Sequence, residues 1–400
     1  MKRIILWLLL FPMLASAQQI SGRVEVALTN ADALQSYQVQ GTGILRAEQS
    51  GIELQQSFVH VQYDLSTSWK ADVVANAYSD GNKKLGFTQA FLHYKPLSPN
   101  PVKFSSRLGF FYPALSVENI SDGWLSPYTY TQSAINSWFG EELRILGAEF
   151  SASSNGRSRR SPWSWQLHGS VFKSNDPIGS LITWRGFALH DRQSLHNDRI
   201  SIAAIPSIVD RDTIWGPDYV KPFMEVDGKW GFYVGGHVRY FRDTEFRYYY
   251  FDNKAEPRSV NEERIYAWRT KFHSLAFQHQ INAQWRFMSQ FLDGATDMGI
   301  RIVYADYTAG YVALSYSEGD NRITFRYDQW DVREEDNKPE DQNNSHGFGV
   351  TTAWRHQLDQ QWEVGLEYHI NKNRAANRVQ LNLPEQATQQ QLKLVLSYQF

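Results

Sequence analysis

The 400-residue sequence contains no cysteine. Without thiols the chain cannot form disulfides, a thiolate metal site or the lipid-modified cysteine of a lipoprotein. Beyond the N-terminus it also lacks any run of about 18 apolar residues, which excludes a transmembrane helix in the mature protein. The formal net charge is only -2, so the chain has neither the basic field of a nucleic-acid-binding protein nor an acidic tail.

The N-terminus predicts export. Two basic residues precede the apolar run of residues 4–14, and Ala15 and Ala17 supply the small side chains that a signal peptidase reads. We therefore predict a signal peptide at residues 1–17, exported through the Sec pathway and cleaved before Gln18. Its apolar core is too short to span a bilayer. Export without a helical anchor leaves a periplasmic protein, a secreted protein or an outer-membrane barrel.

Aromatic content and alternation favour the barrel. The chain holds 14 Trp, 21 Tyr and 23 Phe, and a membrane barrel places rings at both interfaces while needing only every second residue to be apolar. A period of two is that of a strand with one apolar face. Apart from Val395, the last nine residues follow it, with apolar side chains at Leu392, Leu394, Leu396, Tyr398 and Phe400.

Similar segments of about ten residues recur along the chain, separated alternately by short turns and longer loops. This predicts an all-β transmembrane antiparallel β-barrel of about 16 strands, with 14 and 18 as alternatives, short periplasmic turns and long external loops. We interpret residues 18–36 as a short periplasmic segment and residues 37–400 as the barrel, whose first strand covers residues 39–47. The longest external loops are predicted at residues 113–140 and 173–227.

A barrel of this size leaves an aqueous channel, and its inward charges select solutes by sign. The cations outnumber the anions on the faces opposite the apolar ones, which favours anionic solutes weakly. The alternative is that these charges pair across strands and brace the wall. The pore-lining candidates are Arg107, Arg144, Arg269, Lys271, Arg286 and Arg326.

Together, the signal peptide, the alternating strands and the terminal apolar pattern resemble those of a Gram-negative outer-membrane porin. The resemblance implies that Tyr398 and Phe400 belong to the signal read by the barrel-assembly machinery. It also implies that the third external loop, residues 113–140, folds into the lumen, although this loop lacks the acidic-aromatic-glycine signature of the general porins. Its candidate constriction residues, with those just after it, are Glu118, Asp122, Glu141 and Glu142.

The predicted function is passive diffusion of small hydrophilic solutes across the outer membrane, in contact with lipid and lipopolysaccharide and without a cofactor or nucleic acid. A homotrimer and a monomer both remain open. The alternatives are a non-conducting barrel for adhesion or surface interaction and, less favoured, a barrel enzyme. Adjacent His190 and Asp191 cannot build a catalytic triad by themselves, and no phosphate-binding loop or metal-ligand spacing is present. We therefore predict no catalytic and no metal-binding residues.

Overall fold

A computed structural model of the protein describes residues 18–400. It contains one closed antiparallel barrel of sixteen strands, which confirms the predicted fold class and strand number. The predicted signal peptide at residues 1–17 lies outside the described residues. No helix in the described part of the chain combines the length and the apolar character needed to cross a bilayer.

The barrel consists of β1–β7 and β10–β18, while β8 and β9 form a separate two-stranded ladder. The strands are β1 Gln18–Asp32, β2 Gly51–Asp64, β3 Trp69–Ala77, β4 Leu85–Tyr94, β5 Val102–Phe111, β6 Ile145–Ser154, β7 Trp163–Lys173, β8 Ile200–Ser201, β9 Tyr219–Val220, β10 Gly231–Tyr240, β11 Thr244–Asp252, β12 Arg269–Gln280, β13 Trp285–Met298, β14 Val303–Glu318, β15 Asn321–Glu334, β16 Ser345–Gln357, β17 Trp362–Ala375 and β18 Gln386–Gln399. The helices are α1 Ala134–Glu142, α2 Ser180–Arg185 and α3 Pro206–Val209.

The first strand differs from the prediction. β1 pairs with β18 on one side and with β2 on the other, so residues 18–32 close the barrel. The predicted periplasmic segment at residues 18–36 and the predicted strand at residues 39–47 are therefore wrong. Residues 33–50 form a loop in which Ile44 and Leu45 are buried. These two adjacent apolar side chains pack inside the protein, whereas the alternating residues of β1 suit a barrel wall.

Successive connections lie alternately at the two rims of the barrel, and all those at one rim are short, as predicted. The other rim carries the long loops but also two short connections, residues 78–84 and 299–302. The connections at the first rim are residues 65–68, 95–101, 155–162, 241–243, 281–284, 319–320 and 358–361. The external loops are L1 (residues 33–50), L2 (78–84), L3 (112–144), L4 (174–230), L5 (253–268), L6 (299–302), L7 (335–344) and L8 (376–385). The predicted long loop at residues 113–140 falls within L3, and the one at residues 173–227 falls within L4 except for Lys173, the last residue of β7.

Cross-strand Trp–Tyr pairs mark the rim with the short turns. Each Trp begins a strand that rises from this rim, and each Tyr lies opposite it near the end of a neighbouring strand. The ring centroids are 4.8 Å apart for Trp69–Tyr94, 4.7 Å for Trp163–Tyr240, 4.9 Å for Trp285–Tyr316 and 4.8 Å for Trp362–Tyr398. Exposed aliphatic side chains such as Leu394 and Leu396 continue the outer face. An aromatic girdle bordering an apolar outer band is the lipid-facing surface of an outer-membrane barrel.

Candidate functional site

L3 folds into the lumen and runs from the external rim to the periplasmic end. At the periplasmic end, Asp122 accepts hydrogen bonds from Ser21 of β1 and His60 of β2. Nearby, Arg322 beside the short turn at residues 319–320 donates to the Pro127 carbonyl oxygen at 2.7 Å. Residues 128–145 are all buried. L3 therefore occupies the lumen over most of its height.

The helix of L3 packs on one side of the barrel. Ser133 caps the N-terminus of α1 by accepting a hydrogen bond from the Asn136 N–H. The Trp138 ring lies 5.5 Å from Phe272 of β12 and 5.6 Å from Tyr307 of β14, both edge-on. The same hydrophobic cluster contains Ile178, Ile182 and Phe187 of L4. The external half of the lumen thus holds a packed apolar core.

Because of this core, the two faces of β12 point the opposite way from the prediction. Its buried, inward side chains include Phe272 and Ala276, whereas Arg269 and Lys271 lie on the exposed outer face with Leu275. The Arg269 side chain is 45% exposed. The prediction that Arg269 and Lys271 line the pore is therefore wrong. It assumed that the more apolar face meets lipid, but here the apolar face meets the loops inside.

Three predicted pore-lining cations do face the lumen. The guanidinium of Arg107 pairs with Glu149 at 2.8 Å. Arg326 is buried between Glu118 at 2.6 Å and Asp328 at 2.8 Å. Arg286 donates to the Tyr128 hydroxyl at 2.9 Å. Two of these three wall cations are thus neutralised by carboxylates.

Arg144, also predicted to line the pore, lies at the end of L3. It is fully buried and donates one hydrogen bond, to the Gly140 carbonyl oxygen at 2.6 Å. Its guanidinium carbon lies 4.6 Å from the ring centroid of Tyr112 and 4.5 Å from that of Phe223. It forms no ion pair within residues 18–400, and burial lowers its pKa. Aromatic faces, rather than water, surround this cation.

Wall side chains bind the backbone of L3 directly. Arg326 donates to the carbonyl oxygens of Thr131 at 2.6 Å and Gln132 at 3.0 Å. Arg355 donates to the Ser126 carbonyl oxygen at 2.9 Å. In the opposite sense, Glu367 accepts from the Tyr130 N–H at 2.6 Å. Charges of both signs on the wall therefore satisfy the polar backbone of a loop that has no sheet to pair with.

The four predicted constriction acids lie at three separate places. Glu118 is in mid-lumen, where it accepts from Asn136 Nδ2 at 2.7 Å as well as from Arg326. Asp122 is near the periplasmic end. Glu141 and Glu142 end α1, where L3 meets L4. The acids therefore do not form one ring around a constriction.

Glu141 and Glu142 connect L3 to L4 by different means. Glu141 pairs with Arg185 at 2.5 Å and His190 at 3.1 Å, and these partners outweigh the effect of burial, lowering its pKa to about 2. Glu142 accepts from Trp138 Nε1 at 2.6 Å and from the Gly179 and Leu181 N–H groups at 3.0 and 3.2 Å. Burial nevertheless raises the pKa of Glu142 to about 7.

Ion pairs that the sequence did not indicate join the other loops at the external mouth. Arg46 of L1 pairs with Asp80 of L2 at 2.7 Å and with Asp191 of L4 at 3.1 Å. Asp191 and its neighbour His190 thus have different partners and do not act as a pair. These contacts join loops far apart in the chain, so no local sequence pattern could have revealed them.

Only one group of side chains in the described chain has the spacing of a metal site. The carboxylate oxygens of Asp176, Glu225 and Asp227 in L4 lie within 4.8 Å of one another. Their oxygens accept backbone N–H groups, including Val226 N–H on Asp176 and Ser174 N–H on Glu225, both at 2.6 Å. These hydrogen bonds hold the turn that leads into β10.

The inward side chains differ between the two sides of the lumen. We define the apolar wall by Phe251 of β11, Phe272 of β12, and Met288 and Leu292 of β13, all buried in the core around α1. We define the polar wall by Thr29 of β1, His369 of β17, and Gln389, Gln391 and Lys393 of β18, all buried as well. Thr29 Oγ1, both amide atoms of Gln389 and Gln391 Oε1 have no hydrogen-bond partner among the described residues.

Comparison with solved structures identifies proteins with a similar fold. No protein-family model and no curated protein matches the chain. A loop-deletion mutant of OmpT, an outer membrane protein of Vibrio cholerae, aligns with a TM-score of 0.55 at 10% identity over 96% of this chain and 100% of that one. The anion-selective porin from Comamonas acidovorans gives 0.51 at 12% identity over 96% and 100%. OprB from Pseudomonas putida gives 0.52 at 11% identity over 96% and 94%. The chain therefore has the fold of bacterial outer-membrane porins.

Proposed function

We propose that the protein is an outer-membrane channel through which small hydrophilic solutes diffuse passively, along the polar wall. The observation that carries this proposal is the set of unpartnered buried polar atoms on β1 and β18. Buried amides and hydroxyls are stable when they bind water or a polar ligand. We propose that water binds these groups beside L3 and that solutes follow this wall rather than the packed apolar wall.

Two cations near the periplasmic end support a preference for anions. Neither Arg286 nor Arg322 forms an ion pair with any of residues 18–400, although both contact Tyr128. Inward charges that are not neutralised select permeating ions by sign. The preference would thus come from these two residues, since carboxylates pair with the wall cations Arg107, Arg326 and Arg355.

We further propose that the C-terminal strand serves assembly. Phe400 exchanges two backbone hydrogen bonds with Gly22 of β1, at 3.0 and 3.1 Å, and so completes closure of the barrel. Its ring occupies the space beside Gly22, where a Cβ atom would lie 2.4 Å from Phe400 Cζ. Phe400→Ser should lower the yield of heat-modifiable barrel in outer membranes; an unchanged yield would remove this role.

The surroundings and the oligomeric state are proposals of the same kind. The outer band and the external loops would contact lipid and lipopolysaccharide. A trimer form of Vibrio cholerae OmpT shares the fold, with a TM-score of 0.54 at 11% identity, and supports a homotrimer here. Mass measurement of the intact barrel in native detergent would test this state. We propose no catalytic activity.

The channel is tested by single-channel recording from the refolded barrel in a planar bilayer. We expect stable open steps, and we expect Gln389→Leu with Gln391→Leu to reduce their amplitude at least twofold because apolar side chains of similar size replace the hydrated ones. Leu292→Met on the apolar wall is the matched control and should leave the amplitude unchanged. A folded wild-type barrel that never conducts would overturn the channel, and equal amplitudes in all variants would overturn the path along the polar wall.

A further inference from the structure

A cavity of about 590 Å³ lies at the periplasmic end of the lumen. The start of β1, the turn between β16 and β17 and the tip of L3 enclose it. Its volume is in the range of pockets that bind small molecules. Its lining combines apolar side chains, including Phe58, Leu125 and Pro127, with the guanidinium groups of Arg23, Arg322 and Arg355.

The charges in this cavity do not balance locally. Arg23 and Arg355 both donate to Glu363 Oε1, at 2.7 Å each. The other lining carboxylate, Asp122, already binds Ser21 and His60. Arg23 also pairs with Glu25 at 2.7 Å. Among the arginine side chains that line the cavity, Arg322 is therefore the one without a carboxylate partner in the described chain.

The hydrogen-bonding capacity of Arg322 is also largely unused. Of its five N–H donors, one binds the Pro127 carbonyl oxygen at 2.7 Å. Its Nε is buried and has no partner among residues 18–400. The guanidinium carbon lies 5.3 Å from the centroid of the Tyr128 ring. A guanidinium with free donors is suited to bind a planar carboxylate through two parallel hydrogen bonds.

A second, smaller cavity shares part of this lining. Its volume is about 180 Å³, and Pro127, Arg322, Arg355 and Glu363 line both cavities. Asp320 also lines it but makes no ion pair within the described chain. Arg322 thus borders both spaces.

We infer that the larger cavity is a binding site for small organic carboxylates with an apolar body, in which Arg322 binds the carboxylate and the side chains around Phe58 and Leu125 contact the body. Binding itself goes beyond the channel function, while its role in transport rests on that function. The site would favour solutes that carry both a negative charge and a hydrocarbon part over free inorganic anions.

The test is calorimetric titration of the refolded barrel in detergent with sodium benzoate, with benzamide as the neutral isostere. We expect benzoate to bind with a dissociation constant near 1 mM (about -4 kcal/mol) and benzamide at least tenfold more weakly. Arg322→Gln should weaken benzoate binding about tenfold because it removes the charge-assisted hydrogen bonds. Arg322→Lys keeps the charge and should recover part of that loss.

Arg333→Gln is the matched control, because its guanidinium lies on the outer face, 75% exposed. It should bind benzoate as the wild type does. Equal binding of benzoate and benzamide, or unchanged binding by a folded Arg322→Gln barrel, would overturn the site. A barrel that binds benzoate but never conducts would retain the site and refute its role in transport, so the two failures are distinguishable.

Discussion

The two walls of the lumen are built from strands of the same barrel but have opposite chemistry. The apolar wall of β11–β13 packs against α1 through Phe272 and its neighbours. The polar wall on β17, β18 and β1 presents Gln389, Gln391 and Lys393 to the other side of L3. Both are buried, so burial alone does not tell which wall a solute can follow. The difference lies in whether the buried groups are satisfied by packing or require polar partners.

L3 itself accounts for the contrast. Its helix directs Trp138 toward β12 and β14. The preceding segment directs polar groups toward the opposite strands, where the Thr131 hydroxyl accepts a hydrogen bond from Gln391 Nε2 at 3.0 Å. The loop is therefore anchored by hydrophobic packing on one side and by hydrogen bonds on the other. Removing the packing contacts and removing the hydrogen bonds should therefore have different effects on L3.

The largest effect is expected from Arg326→Met. It leaves Glu118 and Asp328 buried without their cation, and such a loss costs about 3–5 kcal/mol. We expect L3 to leave the lumen, so that conductance rises severalfold and proteases cut L3 in the folded barrel. The control is Arg333→Met, an exposed pair on the outer face worth at most about 1 kcal/mol. Intact L3 and unchanged conductance in Arg326→Met would show that packing on the apolar wall suffices.

A smaller effect is expected from pH at the contact between L3 and L4. Burial raises the pKa of Glu142 to about 7, above its usual value of 4.5. The folded state therefore binds this proton more tightly than the unfolded one, and the contact is strongest below pH 4.5 and weakens as pH rises toward 7. Glu142→Gln should remove much of this dependence, measured as the rate of proteolysis within L4 at pH 5 and pH 8.

Two other acids near this contact provide further tests of the pH dependence. Burial also raises the pKa of Asp176 in L4 to about 7. Asp176→Asn should therefore also reduce the change in proteolysis rate between pH 5 and pH 8. Glu141, whose pKa is lowered to about 2, acts in the opposite direction, since its contribution is lost only as pH falls from 4.5 toward 2. A wild-type proteolysis rate that does not change between pH 5 and pH 8 would contradict the proposal that protonation of Glu142 strengthens the contact between L3 and L4.

The smallest effect concerns selectivity. Arg286→Gln with Arg322→Gln removes the two unpaired cations near the periplasmic end and should shift the reversal potential in a salt gradient by several millivolts toward cations. Arg269→Gln with Lys271→Gln removes two charges from the outer face and should leave it unchanged. The reverse result would mean that β12 presents its charged face to the lumen.

Part of this architecture was predictable because it depends on local pattern. The alternation from Leu392 to Phe400 and the spacing of short turns led to the sixteen-strand barrel. Residues 39–47 were wrongly predicted to be a strand because Ile44 and Leu45, which pack inside the protein, are also residue types common in strands. The count of sixteen nevertheless held, since the true strand at residues 18–32 replaced the false one.

The site was predictable where charged residues alternate with outward apolar ones along a strand. Arg107, Arg286 and Arg326 face inward as expected, although β13 also carries Met288 and Leu292 on its inner face. Arg269 and Lys271 do not, because the core around α1 turns the apolar face of β12 inward. The acids of L3 could be named but not positioned: Glu118 meets an arginine 208 residues away in the chain.

By itself, then, the sequence determined that the chain forms alternating strands with an aromatic rim at the short turns, since side-chain alternation and turn length act over a few residues. Tertiary structure decided which face of each strand looks inward, where L3 ends and which charges stay unpaired. Those features depend on how L3 and L4 fill the space that the closed barrel encloses, and that space exists only after distant strands have met.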